Sequence, residues 1–279
     1  MVFYVVITFT VITLLTLYSA HQLKRKYNME VREGLKRTKE LEKTAVTEKD
    51  IAHLPEPIQK YLKYVGVLGK EKVYNIQVHI NGTMRINKKS DWCNIKIQQY
   101  SFFDILTRLF YLRLTMNGLP IKGLHFYKSG IASMVIKILG LIPVVNGSGE
   151  KMNQAETVTV FNDMCIMAPA TLIDSRIQWR SIDDYTVEAT FKHNGIQITA
   201  TLYFNELGQL VNFVSDDRYY SPTGETFEQV RWSTPIQSYQ NINGFNLATY
   251  GEAIWSFPEG DFTYAKFYIQ DIQYNLEKM

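Results

Sequence analysis

The sequence is poor in cysteine, with only Cys93 and Cys165 among its 279 residues. These two lie far apart, and no C-x-x-C spacing occurs, so a thiolate zinc site has no support. A single distant pair also does not predict a disulfide. Because free cysteine is among the most buried residue types, we interpret both as isolated buried thiols.

Catalytic and metal-binding motifs are missing as well. The five histidines are His21, His53, His79, His125 and His193. None of them follows an H-x-H or H-E-x-x-H spacing, so the sequence predicts no metal site. No G-x-S-x-G segment occurs, which argues against the nucleophile elbow of the α/β-hydrolases. We therefore predict neither a metal nor another cofactor.

A basic surplus is missing from most of the chain. The net charge is +3, and Lys24 to Lys43 alone holds eight Lys/Arg and four Asp/Glu, a local +4. The remaining residues therefore sum to −1. Nucleic-acid binding needs a basic face with groove-reading or stacking groups, so we predict no nucleic-acid partner.

Hydrophobic and aromatic residues are plentiful, and they favour strands. The chain is 46% hydrophobic and contains 18 Tyr and 15 Phe, which suits half-buried pleated surfaces. From Val73 onward, apolar and polar residues alternate in about a dozen segments, among them Leu210–Tyr219 and Phe227–Tyr239. Short turns such as Asn117-Gly118 indicate antiparallel neighbours. We predict a mainly β (α+β) fold, a large curved antiparallel sheet or open half-barrel.

Charged side chains are absent from Val2 to Ala20. A helix of this length, at about 1.5 Å per residue, nearly crosses a hydrocarbon core of about 30 Å. A cleaved signal peptide is the alternative, but no positive segment precedes the apolar run and Tyr18 occupies a position that favours a small residue. We therefore predict a single-pass membrane anchor over residues 1–22, with residues 2–20 contacting the lipid bilayer.

The basic residues behind this segment predict its orientation. Lys24-Arg25-Lys26 should stay on the cytoplasmic side, which places the folded domain in the cytoplasm. The same residues should attract anionic headgroups. Residues 23–53 are predicted to form a charged helical stalk, mostly solvated, because its apolar stripe of Val31, Leu35 and Leu41 is thin. Residues 54–279 are predicted to form the antiparallel β domain.

One apolar run, Ile136 to Val145, ends in the glycine-containing turn Asn146-Gly147-Ser148-Gly149. A phosphate-binding loop would need Gly-Lys-Ser/Thr, whereas Glu150 follows the last glycine. Beyond it, apolar residues recur at helical spacing, so we predict a helix near 150–167 that lies across the concave side of the sheet as a plug. A fixed core helix is the alternative, since both bury the same face.

Four charged residues on predicted strands are candidates for function. Asp216, Asp217 and Arg218 lie within Leu210–Tyr219, and Glu252 lies within a later strand. Charges inside strands are unusual unless they are paired, solvated or facing a polar cavity. They indicate either a carboxylate-based catalytic site or cross-strand ion pairs.

Three tryptophans fall on separate predicted strands. Core packing explains them, but tryptophans that line a cavity would suit a flat or acyl ligand. With two side chains of the predicted helix and two of the charged residues, they complete the predicted ligand-binding set. That set is Trp179, Arg218, Trp232, Glu252, Trp255, Met152 and Phe161.

Three longer motifs resemble a known bacterial family. The segments LPEPIQKYLKYVG (Leu54–Gly66), IKILGLIPVVNGSGEKMNQAE (Ile136–Glu156) and GEAIWSFPEGDFTY (Gly251–Tyr264) are similar to those of an uncharacterised bacterial family with an N-terminal hydrophobic segment. The resemblance implies no active site. By a weaker analogy, the architecture is similar to the open barrels of lipoprotein carriers, in which a sheet wraps an apolar cavity.

Three functions fit these observations. The first is a non-catalytic, membrane-anchored domain that binds a lipid or other apolar ligand. The second is a membrane-associated enzyme that uses Asp216, Asp217 and Glu252 with Arg218. The third is a scaffold that binds a protein partner.

Overall fold

The computed structural model describes residues 4, 7, 21–116 and 118–279. Helix α1 is Val2–Lys39, α2 is Glu48–Ile51, α3 is Glu56–Val65 and α4 is Glu150–Met167, followed by a 3₁₀ helix at Pro169–Ile173. The start and end of α4 agree with the helix predicted near 150–167. Asn117, in the predicted turn Asn117-Gly118, lies outside the described residues.

Sixteen strands are defined within the described residues, and most of them belong to one sheet. They are β1 Asn75–Met84, β2 Cys93–Phe102, β3 Thr107–Met116, β4 Leu119–Lys128, β5 Ile131–Ile138, β6 Ile142–Ser148, β7 Ile177–Asp183, β8 Thr186–His193, β9 Ile196–Phe204, β10 Leu210–Ser215, β11 Tyr219–Tyr220, β12 Glu228–Gln229, β13 Arg231–Ser233, β14 Ile236–Ile242, β15 Phe245–Phe257 and β16 Gly260–Tyr274. Fourteen of them form the large sheet, with the order β6-β5-β4-β3-β2-β1-β16-β15-β13-β10-β9-β8-β7 and β14 beside β15.

The prediction of a mainly β protein with a large antiparallel sheet is confirmed. Two predicted strands differ from the structure. Leu210–Tyr219 stops being a strand of the large sheet at Ser215, and Phe227–Tyr239 is split into β12, β13 and the start of β14. At both places the chain leaves the sheet, because β11 and β12 pair only with each other.

The sheet curves around α4. This helix contacts β4, β5 and β6 at one end of the strand order and β9, β10 and β15 towards the other. The two ends also meet beside the helix, because the amide of Asn194 donates to the carbonyl of Ser129 and the backbone of Gly147 packs on Gly224. Gly224 has a φ of +86°, a conformation that glycine adopts without strain.

Helix α4 is buried on all sides and not along one face alone. Thirteen of its eighteen residues are buried, including the polar Glu156, Asn162 and Asp163. The apolar positions used to predict a plug, such as Met152 and Phe161, are buried as expected. The helix therefore runs through the core, and its polar side chains need partners there.

Helix α1 covers the opposite, outer face of the sheet. Leu23, Tyr27, Val31 and Leu35 are buried against Tyr100, Phe102, Leu109, Tyr111 and Leu124. Gly34 brings the helix close to the ring of Phe102, where an added Cβ would clash. The prediction of a mostly solvated stalk is therefore wrong for this part. The four buried positions are spaced by four residues, and the prediction missed the first two.

The predicted membrane anchor lies largely outside the described residues. Of the segment 2–20, the structure describes only the side chains at positions 4 and 7. Among the described residues, no helix is both long and apolar enough to cross a membrane. The boundaries at residues 22 and 53 remain predictions.

Candidate functional site

A cluster of buried charges lies between α4 and the inner face of β3. Arg108 Nε is 2.6 Å from Asp163 Oδ2, and Arg108 Nη1 is 3.2 Å from Glu156 Oε2. Inner-facing Arg108 alternates along β3 with outer-facing Leu109, and the two carboxylates project from the same side of α4, about two turns apart. The cluster therefore ties the helix to the sheet by two ion pairs.

Neighbouring side chains complete most of its hydrogen bonds. Gln99 Nε2 donates to Asp163 Oδ2 at 2.7 Å, and Asn162 Nδ2 donates to Thr234 Oγ1 at 2.7 Å. His125 Nδ1 lies 3.9 Å from Glu156 Oε1. Buried polar groups cost free energy unless they are paired, so this network stabilises α4 inside the core.

The environment fixes the ionisation of two of these groups. Burial acts to raise the pKa of Glu156, but nearby His125 and the charges of Arg108 and Arg218 outweigh it and lower that pKa to about 2. Burial disfavours the charged form of Arg108, yet Asp163 and Glu156 raise its pKa. Glu156 and Arg108 therefore face each other as ions at neutral pH.

Arg218 is only partly compensated. Its Nη1 donates to Thr159 Oγ1 at 2.8 Å, while its Nη2 lies 3.8 Å from Glu156 Oε1, too far for a hydrogen bond. The guanidinium stacks over Trp232, with 4.2 Å from its carbon to the ring centroid. Within the described part of the chain, Arg218 Nε is buried without a hydrogen-bond partner.

A cavity of about 150 Å³ lies next to this cluster. One part of its wall is charged or polar: Gln99, Arg108, Glu156, Asp163, Arg218 and Glu252. The other part is apolar: Ile80, Met84, Ile95, Leu112, Phe267 and Ile269. Gln99 Oε1 is a second buried atom that lacks a partner among the described residues. Both atoms belong to residues that line the cavity.

Three residues of the predicted ligand-binding set line the cavity: Arg218, Trp232 and Glu252. Glu252 accepts a hydrogen bond from Tyr250 at 2.5 Å and one from Thr263 at 3.4 Å. These three residues come from the segment after β10, from β13 and from β15, so only the folded sheet brings them together.

The other four predicted residues lie outside the cavity wall. The ring centroid of Trp255 lies 5.4 Å from the guanidinium carbon of Arg218, and the ring packs on Tyr220. Phe161 stacks in an aromatic cluster with Phe191, and Trp179 lies at its edge. Met152 packs near Gly147, where an added Cβ would clash with its methyl group.

The carboxylates proposed for catalysis do not converge. Asp216 forms an exposed ion pair with Arg231 at 2.7 Å, whereas Asp217 accepts hydrogen bonds from the backbone and hydroxyl of Thr199. Arg218 alone of the consecutive three lines the cavity, with Glu252. The arrangement required by the enzyme hypothesis is therefore not present. Among the described residues, no three His, Cys, Asp or Glu side chains form a group that could hold a metal.

Sequence reasoning missed Arg108, Glu156, Asp163 and Gln99. Glu156 and Asp163 were not predicted because the helix was assigned from the spacing of its apolar side chains alone. Their spacing of seven residues is a helical signal, because it places both on one side of α4. Arg108 follows a turn in the sequence, where a charged residue is ordinarily solvated.

The fold and the cavity together define a class of protein. It is a curved antiparallel sheet that wraps one buried helix and keeps a small cavity between them, lined by both apolar and charged side chains. The chain belongs to a family of unknown function, DUF6544, whose model matches residues 44–267. The predicted resemblance to an uncharacterised family is confirmed, and the matched region begins after α1.

Two solved structures are similar to this chain at low TM-scores. A LolA superfamily protein from Nitrosomonas europaea shares 13% identity with a TM-score of 0.42, and the alignment covers 82% of this chain and 94% of that chain. A candidate outer membrane lipoprotein-sorting protein domain from Vibrio parahaemolyticus shares 7% identity with a TM-score of 0.39, covering 72% and 85%. No curated protein matches the sequence.

Proposed function

We propose that this protein is a non-catalytic, membrane-anchored binding protein for an amphipathic ligand, such as a lipid with an anionic or hydrogen-bonding headgroup. The observation that carries the proposal is the cavity, whose wall combines apolar side chains with Arg218 and Gln99, two residues that each hold a buried polar atom without a partner among the described residues. Binding sites for small molecules are typically apolar with a few fixed polar groups, and this cavity has that composition.

The unpartnered donor of Arg218 favours a headgroup that accepts hydrogen bonds. Arg218 has one direct hydrogen bond to Thr159, and its nearest carboxylate oxygen is 3.8 Å away. An anionic headgroup at Nε would complete the partners of the guanidinium in a site with little water. Charge-assisted hydrogen bonds of this kind are stronger than neutral ones.

The apolar side chains of the wall fit an alkyl or acyl chain. An apolar cavity of about 150 Å³ is large enough for a molecule the size of benzene, so the enclosed space holds only part of a longer chain. The rest would extend along the wall past Met84, at the end of β1.

We further propose that α4 remains in place when the ligand binds. Moving it would break the ion pairs of Arg108 with Glu156 and Asp163, and breaking a buried pair costs about 3–5 kcal/mol. A plug that opens is the alternative. Amide exchange distinguishes them, because an opening helix loses or gains protection over residues 150–167 when ligand is added, whereas a fixed helix stays protected throughout.

The proposed location is the cytoplasmic side of a membrane. It is supported by the uncharged segment Val2 to Ala20 and by the basic residues that follow it. Protease accessibility of the C-terminal domain in right-side-out and inverted vesicles tests the orientation.

Native mass spectrometry of the full chain tests the binding proposal. After incubation with a long-chain fatty acid, we expect one retained molecule per chain. Ala248 lines the cavity, so Ala248→Leu should reduce retention by filling it. Thr249→Leu, at the next position on β15, is the matched control and should retain the ligand. Equal retention by both variants, or none by the wild type, contradicts the proposal.

A second variant tests the polar end. Arg218→Met keeps an unbranched apolar stem and removes the guanidinium donors, so fatty-acid affinity should fall about 10- to 100-fold, the amount expected for a charged hydrogen bond. The methyl ester of the same fatty acid should lose much less. Arg231→Met is the control, because Arg231 pairs with Asp216 at the surface. Equal losses for acid and ester would show that Arg218 does not bind a headgroup.

A further inference from the structure

Several exposed apolar side chains lie where strands of the sheet end in turns on one side of the molecule. These turns are the hairpin turns at residues 85–92, 139–141 and 258–259 and the turn that contains Gly118, which join strands among β1 to β6, β15 and β16. We call this group of turns the apolar rim. Its exposed residues are Ile86, Trp92, Leu119, Leu139, Ile142 and Val144, and Ile86 and Ile142 are 60% and 58% exposed.

A row of basic residues crosses the outer face just behind the apolar rim. Lys96 on β2 is directly opposite Arg113 on β3, and Arg113 is directly opposite Lys122 on β4. Lys137 continues the row on β5. Residues directly opposite have Cβ atoms about 5 Å apart, and like charges at that distance repel. Among the described residues, Lys96, Arg113 and Lys122 take part in no salt bridge.

No acidic residue balances this row within the same strands. From residue 105 to residue 149 the sequence contains five Lys or Arg and no Asp or Glu. Lys24 of α1 lies beside the row, over the ring of Tyr111 at 4.7 Å. Burial, and the charge of Arg113, lower the pKa of Lys24, which shows how closely the cations are placed. A field of one sign on a sheet face is typical of a surface that meets an anionic partner.

Helix α1 runs towards the same rim. Thr38 contacts Asn75 at the strand ends opposite the apolar rim, whereas Lys24 donates to Gln98 in the middle of β2, closer to the rim. The sequence predicts that the segment before Lys24, Val2 to Ala20, enters a bilayer. Met84 lines the cavity and ends β1 next to the turn at residues 85–92, so part of the cavity wall adjoins the apolar rim.

We propose that the apolar rim and the basic row form a docking surface for an anionic lipid bilayer. The apolar turns enter the headgroup region, and Lys96, Arg113 and Lys122 bind lipid phosphates. Each basic residue near an anionic surface contributes roughly a fivefold gain in affinity. This arrangement holds the cavity wall against the membrane, a role that goes beyond ligand binding itself.

Spin labelling of the full chain tests the docking surface in nanodiscs. The background variant is Cys93→Ser, since Cys165 is buried. A nitroxide at Leu139→Cys should be protected from a water-soluble nickel chelate and accessible to oxygen in phosphatidylcholine mixed with phosphatidylglycerol. A nitroxide at Ile131→Cys, at the far end of β5, the strand that precedes Leu139, is the control and should remain accessible to nickel.

The charge requirement is tested with the triple variant Lys96→Gln, Arg113→Gln and Lys122→Gln. It should move the label at position 139 into water, and roughly a 100-fold loss of affinity is expected from three charges. Because the repulsion within the row is relieved, this variant should denature at the same temperature as the wild type or higher.

Three results would overturn the proposal. The first is a label at position 139 that is accessible to nickel in anionic nanodiscs. The second is a label that is as well protected in phosphatidylcholine alone, and in the triple variant, as it is for the wild type in anionic nanodiscs. The third is protection of the label without any lipid by a co-purified protein, which would make the rim a protein interface. Each leaves the fatty-acid measurements unchanged, so failure here is distinct from failure of the proposed ligand.

Discussion

Replacement of Glu156 by glutamine removes one charge from the buried cluster while keeping its shape. Glu156 lies 3.2 Å from Arg108 and 3.8 Å from Arg218, and its pKa is lowered from 4.5 to about 2. One pKa unit corresponds to about 1.4 kcal/mol, so the ionised carboxylate contributes about 3 kcal/mol to the free energy of unfolding at neutral pH. We expect Glu156→Gln to lose about that amount.

The pH dependence identifies this charge as the cause. Because the pKa of Glu156 is lower in the folded protein, its contribution is fully present above the unfolded value of about 4.5 and is lost as the pH falls towards 2. By pH 3, about 2 kcal/mol of it should be gone. The difference in unfolding free energy between wild type and Glu156→Gln should therefore shrink by that amount between pH 7 and pH 3.

Chemical denaturation of the full chain in detergent micelles, followed by tryptophan fluorescence, measures this difference. The matched control is Glu188→Gln, since Glu188 also pairs with an arginine, Arg180, but at the surface. Its effect should be much smaller, as expected for an exposed pair. If the difference for Glu156→Gln is the same at pH 7 and pH 3, the carboxylate is not ionised by its neighbours and the reasoning fails.

Three further substitutions test the packing described above, each by thermal or chemical denaturation. Leu35→Ala should cost about 2–5 kcal/mol, because Leu35 is buried between α1 and the sheet; an effect no larger than that of Arg32→Ala would mean that α1 is not docked. Gly224→Ala should destabilise much more than Gly118→Ala, since an added Cβ at Gly224 would lie 2.5 Å from the backbone of Gly147 and at Gly118 meets nothing within 4 Å. Tyr61→Phe should cost about 1–3 kcal/mol by leaving the buried carbonyl of Cys165 without its 2.7 Å hydrogen bond, while Tyr203→Phe, at the surface, should be neutral.

Much of the fold follows from the sequence because its signals are local. Alternating residues and turn chemistry predicted nearly every hairpin from β1 to β9, and the glycine turn before Glu150 predicted where α4 begins. The burial of α1 was not predicted, since its stripe begins at Leu23 and Tyr27, among the charged residues. Each of these lies four residues from the next buried position, but charged neighbours lower the mean hydropathy.

The site was harder to predict because its parts are distant in the chain. Arg218 and Glu252 were found as charges within predicted strands, and both line the cavity. Asp216 and Asp217 have the same sequence signal, yet one faces solvent and the other accepts bonds from Thr199. The environments of Asp216, Asp217 and Arg218 differ because the chain leaves β10 at Ser215. The chain then enters the short pairing of β11 with β12.

The basic row was missed for a different reason. Net charge was counted along the chain, where Lys96, Arg113 and Lys122 are well separated. Pairing of β2, β3 and β4 places them side by side. Cross-strand register, which sequence periodicity does not fix, decides whether scattered charges become a surface.

The position of β16 has a consequence for the synthesis of the chain. This last strand lies between β1 and β15, so Ile76 pairs with Tyr274 across almost the whole sequence. The hairpins of β1 to β6 can form as soon as they leave the ribosome, but the open edge of β1 must wait for the C-terminal strand. Unpaired edges invite association with other chains. A nascent chain that stops before residue 260 therefore presents two half-sheets with free edges. Whether it folds without aggregating depends on how quickly β16 is translated or on a chaperone that covers β1 until then.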